Sequence, residues 1–286
     1  MNSLAINTFI EYLRQSGKSS STVIAYTKDL KDFNEYFSGK RLEKLTQEEI
    51  DKYKEFLLKQ LLTEKTVSRK LNSISSFYKY LKENNIISEN PVKKIEYPRP
   101  ARRKQRVINM DEYRAILEAA KKDKRLYVAL QTLFQTGIRI SEIVNLTVAD
   151  AIIETDVPHL KIKQNNTNPS RIVPLNDKIL YILKDYLSSH PFINIAQFPM
   201  FYTTTNKAIH VRNLRASLTR IFAKAKIKDL SVNDIRTTFI VHQLKAGNSV
   251  DFVGKIVGHR SKAATERYLR LCGGYKCKNL EKVVEF

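Results

Sequence analysis

A basic segment that contains two prolines interrupts the chain at residues 97–106, where the sequence is YPRPARRKQR. The prolines disfavour helix, and five of the last eight residues of the segment carry a positive charge. Such a segment cannot lie inside one hydrophobic core, so it predicts two domains joined by a solvated linker. A chain of 286 residues is long enough for two cores. We therefore expect a first domain at 1–97, a linker at 98–106, a second domain at 107–272 and a tail at 273–286.

Before the linker, apolar side chains recur at helical spacing and predict a domain made of four helices. Ser20 or Ser21 is expected to cap the second helix, and Thr46 with Glu49 forms a capping-box pattern for the third. The third and fourth helices are predicted to run to Leu61 and to Asn84. The apolar positions that mark the first two helices are Leu4, Phe9, Ile10 and Leu13, then Val23, Tyr26, Leu30, Phe33 and Phe37.

After the linker the pattern changes to helices mixed with a β-hairpin. Two β-like runs, at 159–163 and 171–174, are separated by a polar stretch. Asn109 with Glu112 predicts a capped helix that continues through Leu117. Further helices are expected at about 126–136, 177–187, 210–226, 232–246, 249–257 and 261–270. The predicted fold class is therefore mainly α with a small β component: a helical domain followed by a mixed α+β domain.

The balance of charges indicates a polyanionic partner. Fifty Lys and Arg against 29 Asp and Glu give a formal net charge of +21 and a pI near 9.8. A surplus of this size costs self-repulsion, which is offset when the partner is a nucleic acid whose phosphates release counterions. A ribosomal or membrane-surface protein is the alternative at this level. Residues 1–106 carry +9 and the remainder carries +12, so both domains are expected to contact DNA as a clamp.

The two cysteines, Cys272 and Cys277, are too few for a disulfide framework and indicate a reducing compartment. They could bind a metal ion, but no other Cys or His lies near them in the sequence, so we expect incidental thiols and no metal site. Near the N-terminus, Glu11 and Arg14 precede any apolar run typical of a signal peptide. No stretch is apolar for the length that a membrane span requires. We therefore expect a cytoplasmic protein without a membrane partner.

Four short segments of the second domain carry side chains suited to phosphate chemistry. They are TGIRISEI at 136–143, NDIRTTF at 233–239, Gly258-His259, and ATERYL at 264–269. This arrangement resembles the catalytic domain of the tyrosine recombinases, the family of lambda integrase, Cre and the Xer proteins. That family shows TGxRxSE, a lysine on a β-hairpin, HxxR, LGH and a tyrosine nine residues beyond the last histidine. The resemblance covers residues 107–270 by motif, and the first domain by architecture and size.

The resemblance implies a role for each matching residue. Arg139 and Arg236 would grip the non-bridging oxygens of the scissile phosphate, because guanidinium groups suit phosphate geometry. His259 would donate a further hydrogen bond to that phosphate. Tyr268 would be the nucleophile and would form a 3′-phosphotyrosine with a free 5′-hydroxyl. The bond energy stays in that linkage, so the resemblance implies that neither a metal ion nor another cofactor is required.

Two positions depart from the pattern of the family. Asn233 stands where the family has the first histidine of HxxR, and an amide cannot transfer a proton. Asn166 falls where the family has the hairpin lysine that protonates the leaving 5′-oxygen. Lys163, which shares a strand face with Lys161, is the nearest substitute, and we predict that Lys163 is the proton donor. Asn233 remains a candidate catalytic residue that could hydrogen-bond the phosphate, and we expect slow or regulated catalysis.

The resemblance also implies the partners of the protein. The first domain would be a core-binding, SAM-like domain, and the substrate would be double-stranded DNA with a specific recombination site. A homo-tetramer would act on it, with a dimer on each site. The tail would dock on a neighbouring protomer through an amphipathic segment that carries Leu280, Val283, Val284 and Phe286. Candidate DNA contacts are Lys65, Arg69 and Lys70 on the fourth helix, and Arg102, Arg103 and Lys104 in the linker.

The expected reaction is strand exchange through a Holliday junction, in the service of co-integrate or dimer resolution, or of integration and excision. Two alternatives remain open. Asn233 and Asn166 are compatible with a catalytically weak relative that binds DNA as an architectural protein. The same tyrosine chemistry would also serve relaxation of supercoils in the manner of type IB topoisomerases.

Overall fold

A computed structural model describes residues 2–99, 101, 103–164 and 169–286. The chain divides into two compact units, Met1–Arg103 and Lys104–Phe286. No helix of the described residues is both long and apolar enough to cross a membrane. Arg102 and Asn166, two positions that the sequence singled out, lie outside the described residues.

The N-terminal unit is a helical bundle around an aromatic core. Its helices are α1 (Asn2–Gln15), α2 (Ser20–Tyr36), α3 (Gln47–Lys59) and α4 (Glu64–Glu83), with a 3₁₀ helix at Leu42–Lys44. Fully buried side chains from all four helices, among them Phe9, Phe33, Tyr53 and Phe77, form the core. The prediction of four helices is confirmed.

Two boundaries in this unit differ from the prediction. The cap of α2 is Ser19, whose Oγ accepts a hydrogen bond from the Thr22 backbone N at 3.1 Å, so the predicted cap at Ser20 or Ser21 is wrong. Helix α3 ends at Lys59, because Leu61 adopts a left-handed backbone with φ 56° and is exposed. The predicted capping box of Thr46 and Glu49 is confirmed.

The C-terminal unit contains helices on a small antiparallel sheet. The helices are α5 (Met110–Ala120), α6 (Lys124–Thr136), α7 (Ile140–Ile143), α8 (Asp177–Ser188), α9 (Val211–Lys224), α10 (Val232–Ala246), α11 (Val250–Val257) and α12 (Lys262–Glu266). Short 3₁₀ helices lie at Val148–Asp150 and Leu269–Leu271. The structure confirms the predicted fold class and the helices predicted between 109 and 257.

The sheet has the order β1 (Ala151–Ile152), β2 (His159–Ile162) and β3 (Arg171–Pro174) among the described residues. Strands β2 and β3 form the predicted hairpin, in which Leu160 pairs with Val173 and Ile162 pairs with Arg171. The sequence did not predict β1, because two residues are too short to show a strand period. The paired register buries Leu160, Ile162 and Val173 in the core on one face of the sheet.

The described residues of the C-terminal unit form two hydrophobic clusters. The larger one lies among α5, α6, α8, α9 and the sheet. The smaller one lies between α10 and α11 and includes Tyr268 and Cys272. Gly137 ends α6 with φ 61°, and a Cβ atom there would lie 2.2 Å from the ring of Phe239. Only glycine allows α10 to approach so closely to the turn that precedes Arg139.

One prediction near the C-terminus is wrong. The helix predicted at 261–270 ends at Glu266, and Tyr268 lies between α12 and the following 3₁₀ helix. Packing of Tyr268 and Cys272 into the smaller cluster bends the chain there. Residues 273–286, which form the predicted tail, are described throughout and contain no helix. Their peptide groups bond instead to Gln243 and Asn248 of the same unit.

Candidate active site

The turn after α6 presents Arg139 at the start of α7. Arg139 is the residue that precedes α7, and its backbone N donates to Oε2 of Glu142 at 2.8 Å, whereas its own side chain does not cap the helix. Its guanidinium donates to Oε1 of Glu142 at 3.2 Å and to the carbonyl oxygens of Val257 and Gly258 at 3.3 and 3.4 Å. These contacts join the end of α6 to the end of α11.

Helix α10 brings a second guanidinium, that of Arg236, to the same place. Arg236 donates to the carbonyl oxygens of Gly137 and of Val257, each at 2.6 Å. The carbonyl oxygen of Val257 therefore accepts from both arginines. Burial, and next the charge of Arg139, lower the pKa of Arg236 to about 9. Two neighbouring guanidinium groups of this kind are suited to bind one oxyanion, which would offset their repulsion.

His259 follows the left-handed Gly258 at the end of α11. Its backbone N donates to the Gly254 carbonyl oxygen at 2.9 Å, and its Nδ1 lies 2.8 Å from Oγ1 of the buried Thr265. Burial, followed by the charges of Arg236 and Arg139, lowers the pKa of His259 to about 4. A neutral ring that accepts at Nδ1 from the threonine hydroxyl carries its proton on Nε2, where it can donate to a ligand.

Tyr268 lies against the ring of His259. The two rings are nearly parallel, with 11° between their planes and 6.0 Å between their centroids. The guanidinium carbon of Arg267 is 5.4 Å from the centroid of the tyrosine ring. The side chain is buried, with only 6% of the residue exposed, and its backbone N donates to the Thr265 carbonyl oxygen. The structure thus brings together four of the predicted site residues, which come from the four separate segments that the sequence singled out.

Lys163 and Asn233 are not among the four residues that the structure brings together. Lys163 follows β2, and its Nζ lies 3.0 Å from Oδ2 of the buried Asp150 and 3.4 Å from Oγ1 of Thr147. Its side chain is half exposed. A cavity of about 220 Å³ is lined by Lys163, Lys161, Asp150 and Glu142, so it connects the lysine to the carboxylate beside Arg139. Asn233 is exposed on the first turn of α10, three residues before Arg236.

The candidate DNA contacts differ in accessibility. Lys65 is exposed on α4, and Arg69 is partly exposed while it pairs with the buried Asp29. Lys70 is only 7% exposed, and its Nζ is 2.5 Å from Asp32 and 3.5 Å from Asp29, so it stabilises the helical bundle and does not present a free charge. Arg103 and Lys104 are exposed where the two units join in sequence.

Sequence reasoning missed two charged residues of the site, Glu142 and Arg171. Glu142 is 4% exposed and contacts Arg139 and Arg171. Its signal was present, because Glu142 lies in the TGIRISEI segment that the sequence singled out, but no role was assigned to it. Arg171 begins β3, and nothing in the strand pattern indicated that its side chain points into the arginine cluster.

The amino-acid sequence matches known proteins along almost its whole length. Residues 106–272 match the phage integrase family, and residues 6–88 match the phage integrase N-terminal SAM-like domain. A tyrosine recombinase of Thermosipho africanus is 28% identical over 288 residues, which cover 97% of this chain and 99% of the relative. The tyrosine recombinase XerD of Rickettsia bellii is 25% identical over 290 residues, or 93% of each chain.

The fold is similar to that of a lambda integrase, solved as a tetramer bound to a Holliday junction. The TM-score is 0.74 at 16% sequence identity, and the alignment covers 92% of this chain and 76% of that chain.

Proposed function

The chain belongs to the phage integrase family and is a tyrosine-type DNA recombinase, and we propose that Tyr268 breaks the DNA backbone through a 3′-phosphotyrosine intermediate. One observation carries this proposal. Arg139 and Arg236 converge on the carbonyl oxygen of Val257, directly beside the parallel rings of His259 and Tyr268. An oxyanion that entered between the guanidinium groups would meet a neutral N–H donor and a phenol.

In the proposed reaction the phenol of Tyr268 releases its proton to solvent, and its oxygen attacks the scissile phosphorus. The new bond joins phosphorus to that oxygen, and the bond from phosphorus to the 5′-oxygen breaks. Arg139 and Arg236 neutralise the non-bridging oxygens in the transition state, and Nε2–H of His259 donates to one of them. The reverse attack by a 5′-hydroxyl of a partner strand releases Tyr268 and reseals the DNA.

The reaction also needs a proton donor, because the leaving 5′-oxygen must gain a proton. We propose that Lys163 supplies it after its ammonium exchanges Asp150 for the DNA backbone. The separation of 3.0 Å between Lys163 Nζ and Asp150 supports a resting state in which the donor is held back. Asn233 lies one turn before Arg236 and can contribute a hydrogen bond to the phosphate but no proton transfer.

We propose two helices as surfaces that contact DNA, one in each unit. On α4 the exposed or partly exposed side chains are Lys65, Ser68, Arg69 and Asn72, which share one face of the helix. On α9 they are Arg212, Asn213, Arg215 and Thr219, and the first turn of that helix has no acidic residue. Arginine and asparagine side chains on a helix can reach both phosphates and base edges. Arg103 and Lys104 would add phosphate contacts in the linker.

The assembly that we propose is a tetramer on two DNA sites, which passes through a Holliday junction. The lambda integrase of similar fold, solved as a tetramer on such a junction, supports it. Within one chain, the backbone of Val284 bonds to Gln243 and that of Lys282 bonds to Asn248. A tail held by backbone contacts of this kind could be replaced by the tail of a neighbouring protomer. The biological task would be resolution of DNA dimers or co-integrates, or integration and excision, in the cytoplasm.

A second candidate function is architectural DNA binding with little catalysis. The exposed Asn233, which cannot titrate, and Lys163, which is paired with Asp150, favour it. The two functions differ in whether DNA strands are exchanged.

A two-site recombination assay tests the proposed function. A pool of random duplexes is first used to select the DNA sequence that the protein binds. Two labelled duplexes that carry the selected site are then mixed with the protein, and products are resolved as recombinants and four-way junctions. We expect both products with the unmodified chain, neither with Tyr268→Phe, and both with the control Tyr275→Phe. Tight binding without any exchange would instead support the architectural function.

A further inference from the structure

Arg171, at the start of β3, has a side chain that is almost fully enclosed by the site. Its side chain is 7% exposed, and its guanidinium donates to Oε1 and Oε2 of Glu142 at 2.9 and 2.7 Å. Its Nε donates to the Ile256 carbonyl oxygen at 2.7 Å. All three nitrogens of the guanidinium are therefore occupied by protein, and little of the group is open to a substrate.

Glu142 connects this guanidinium to that of Arg139. The carboxylate accepts from the backbone N and from Nη1 of Arg139 as well as from both terminal nitrogens of Arg171. Burial alone would raise the pKa of Glu142, but the hydrogen bonds and charges of Arg171 and Arg139 outweigh burial and lower it. Glu142 is therefore a carboxylate whose position depends on Arg171, and the position of Arg139 depends on Glu142.

Arg171 also fixes the turn that carries His259. A Cβ atom at Gly258 would lie only 3.0–3.1 Å from the guanidinium of Arg171, and φ of Gly258 is +70°. The guanidinium thus lies against the turn at the end of α11, close to the carbonyl oxygens that Arg139 and Arg236 contact. The backbone of Arg171 pairs with that of Ile162, so its side chain links the site to the hairpin whose other strand leads to Lys163.

We propose that Arg171 is a positioning residue that fixes Arg139, the Gly258–His259 turn and the Lys163 hairpin relative to one another. The proposal rests on the proposed function, in which those groups act on the scissile phosphate. A lysine at this position would keep the charge but could not make two parallel hydrogen bonds to Glu142 and a third to Ile256. We therefore expect Arg171→Lys to misplace Arg139 without removing any group that touches DNA.

The first test compares the unmodified chain with two variants, Arg171→Lys and a control. It measures single-turnover cleavage of a nicked duplex, DNA affinity and the urea midpoint of unfolding. Arg171→Lys should reduce the rate of covalent-complex formation by roughly 100-fold, since small displacements of catalytic groups cost that much, and should change the DNA dissociation constant by about two-fold or less. The control is Arg125→Met, which removes an arginine that bonds the Tyr202 carbonyl oxygen and Asp123 away from the site. We expect this control to retain both rate and affinity.

A double variant separates positioning from stability. Arg171→Met leaves Glu142 buried without its main partner, so its urea midpoint should fall. Arg171→Met with Glu142→Met removes both charges, and its midpoint should return towards that of the unmodified chain while the cleavage rate stays low. Recovery of the rate together with the midpoint would show that Arg171 only stabilises the fold.

A second readout needs no cleavage and keeps this proposal distinct from the proposed function. Inorganic phosphate is titrated while the ring signals of His259 are followed by NMR. Arg171→Lys should require roughly ten-fold more phosphate than the unmodified chain, the loss expected for one weakened charged hydrogen bond. If the unmodified chain never cleaves DNA but this difference is found, positioning stands and the nucleophile assignment falls. Equal phosphate affinity in the two proteins would overturn the positioning role.

Discussion

The guanidinium groups of Arg139, Arg171 and Arg236 lie near a single buried carboxylate, that of Glu142. Arg139 and Arg171 contact Glu142, while Arg236 reaches only backbone carbonyl oxygens within the described residues. One negative charge does not balance three positive ones, and carbonyl oxygens compensate them only in part. The site is therefore arranged to gain an anion, and the proposed anion is the scissile phosphate of DNA.

The low pKa of His259 makes the DNA-free protein sensitive to acid. In the folded chain this pKa is about 4, against an ordinary value of 6.5, because burial and then the charge of Arg236 disfavour the imidazolium. Between these values the unfolded chain binds more protons than the folded chain, so the free energy of unfolding should rise as pH increases from about 4 to 6.5. Urea unfolding across this window should give a smaller rise for His259→Gln. If His259→Gln showed the same rise in the free energy of unfolding, the low pKa of His259 would not be its cause. His190 and His242 would then account for the rise, because burial also lowers their pKa values.

The role of Lys163 can be tested by changing the leaving group. Lys163→Ala should slow covalent cleavage of normal DNA by roughly 100-fold or more, the contribution typical of a general acid. A substrate with sulfur in place of the bridging 5′-oxygen leaves as a thiolate, which does not need that proton. This substrate should restore the rate of Lys163→Ala. Lys161→Ala, a change on the same strand, serves as the control, and a lysine variant that stays slow with the sulfur substrate would exclude Lys163 as the donor.

The helix boundaries that the sequence predicted correctly are those with strong local signals. Capping boxes at Thr46 and Asn109 marked the starts of α3 and α5, and the glycine at 137 marked the end of α6. The strand β1 was missed because two residues carry no period. The order of the four motifs predicted which side chains meet, but the positions of Glu142 and Arg171 depend on packing between elements that are distant in sequence.

The tail shows why some elements could not be predicted. The apolar spacing of residues 280–286 predicted an amphipathic segment, but it did not predict that the backbone of this segment bonds to the buried amides of Gln243 and Asn248. Phe286 packs against the rings of Tyr113 and Phe134, at centroid distances of 5.0 and 5.8 Å. These contacts come from side chains on α5, α6 and α10, which no local pattern in the tail indicates.

Phe286→Ala tests the contribution of the tail to the fold. The ring is partly buried, so its loss should lower the free energy of unfolding by about 2 kcal/mol, less than for a fully buried phenylalanine. Urea unfolding of the DNA-free chain measures this change, and Leu280→Ala, an exposed position in the same segment, should have little effect. An equal effect of the two substitutions would show that Phe286 does not anchor the tail.

At the scale of the whole molecule, the charge of +21 predicts binding to DNA that depends strongly on salt. Only accessible cations contribute to that dependence. Lys65 is exposed, whereas Lys70 is enclosed between Asp29 and Asp32. The sequence could not distinguish them, because the acidic partners of Lys70 come from another helix, α2.

The two lysines should therefore respond differently to substitution. Lys65→Ala should reduce the slope of the logarithm of the binding constant against the logarithm of salt concentration by about one, with no change in stability. Lys70→Met should leave this slope unchanged but lower the free energy of unfolding by about 3 kcal/mol, because Asp29 loses a buried partner. Binding titrations at several salt concentrations and urea unfolding measure the two effects. A lower salt slope for Lys70→Met would contradict its structural role.

The central claim is that Tyr268 becomes covalently joined to DNA. The most direct measurement uses a nicked duplex that carries the selected site, so that the cleaved fragment diffuses away and the intermediate is trapped on a denaturing gel. We expect an adduct whose DNA is attached through its 3′-phosphate to the peptide that contains Tyr268. The adduct should be absent from Tyr268→Phe and present in Tyr275→Phe. An adduct that persists in Tyr268→Phe would show that another residue is the nucleophile. The absence of an adduct on a tightly bound site would contradict covalent cleavage by this chain.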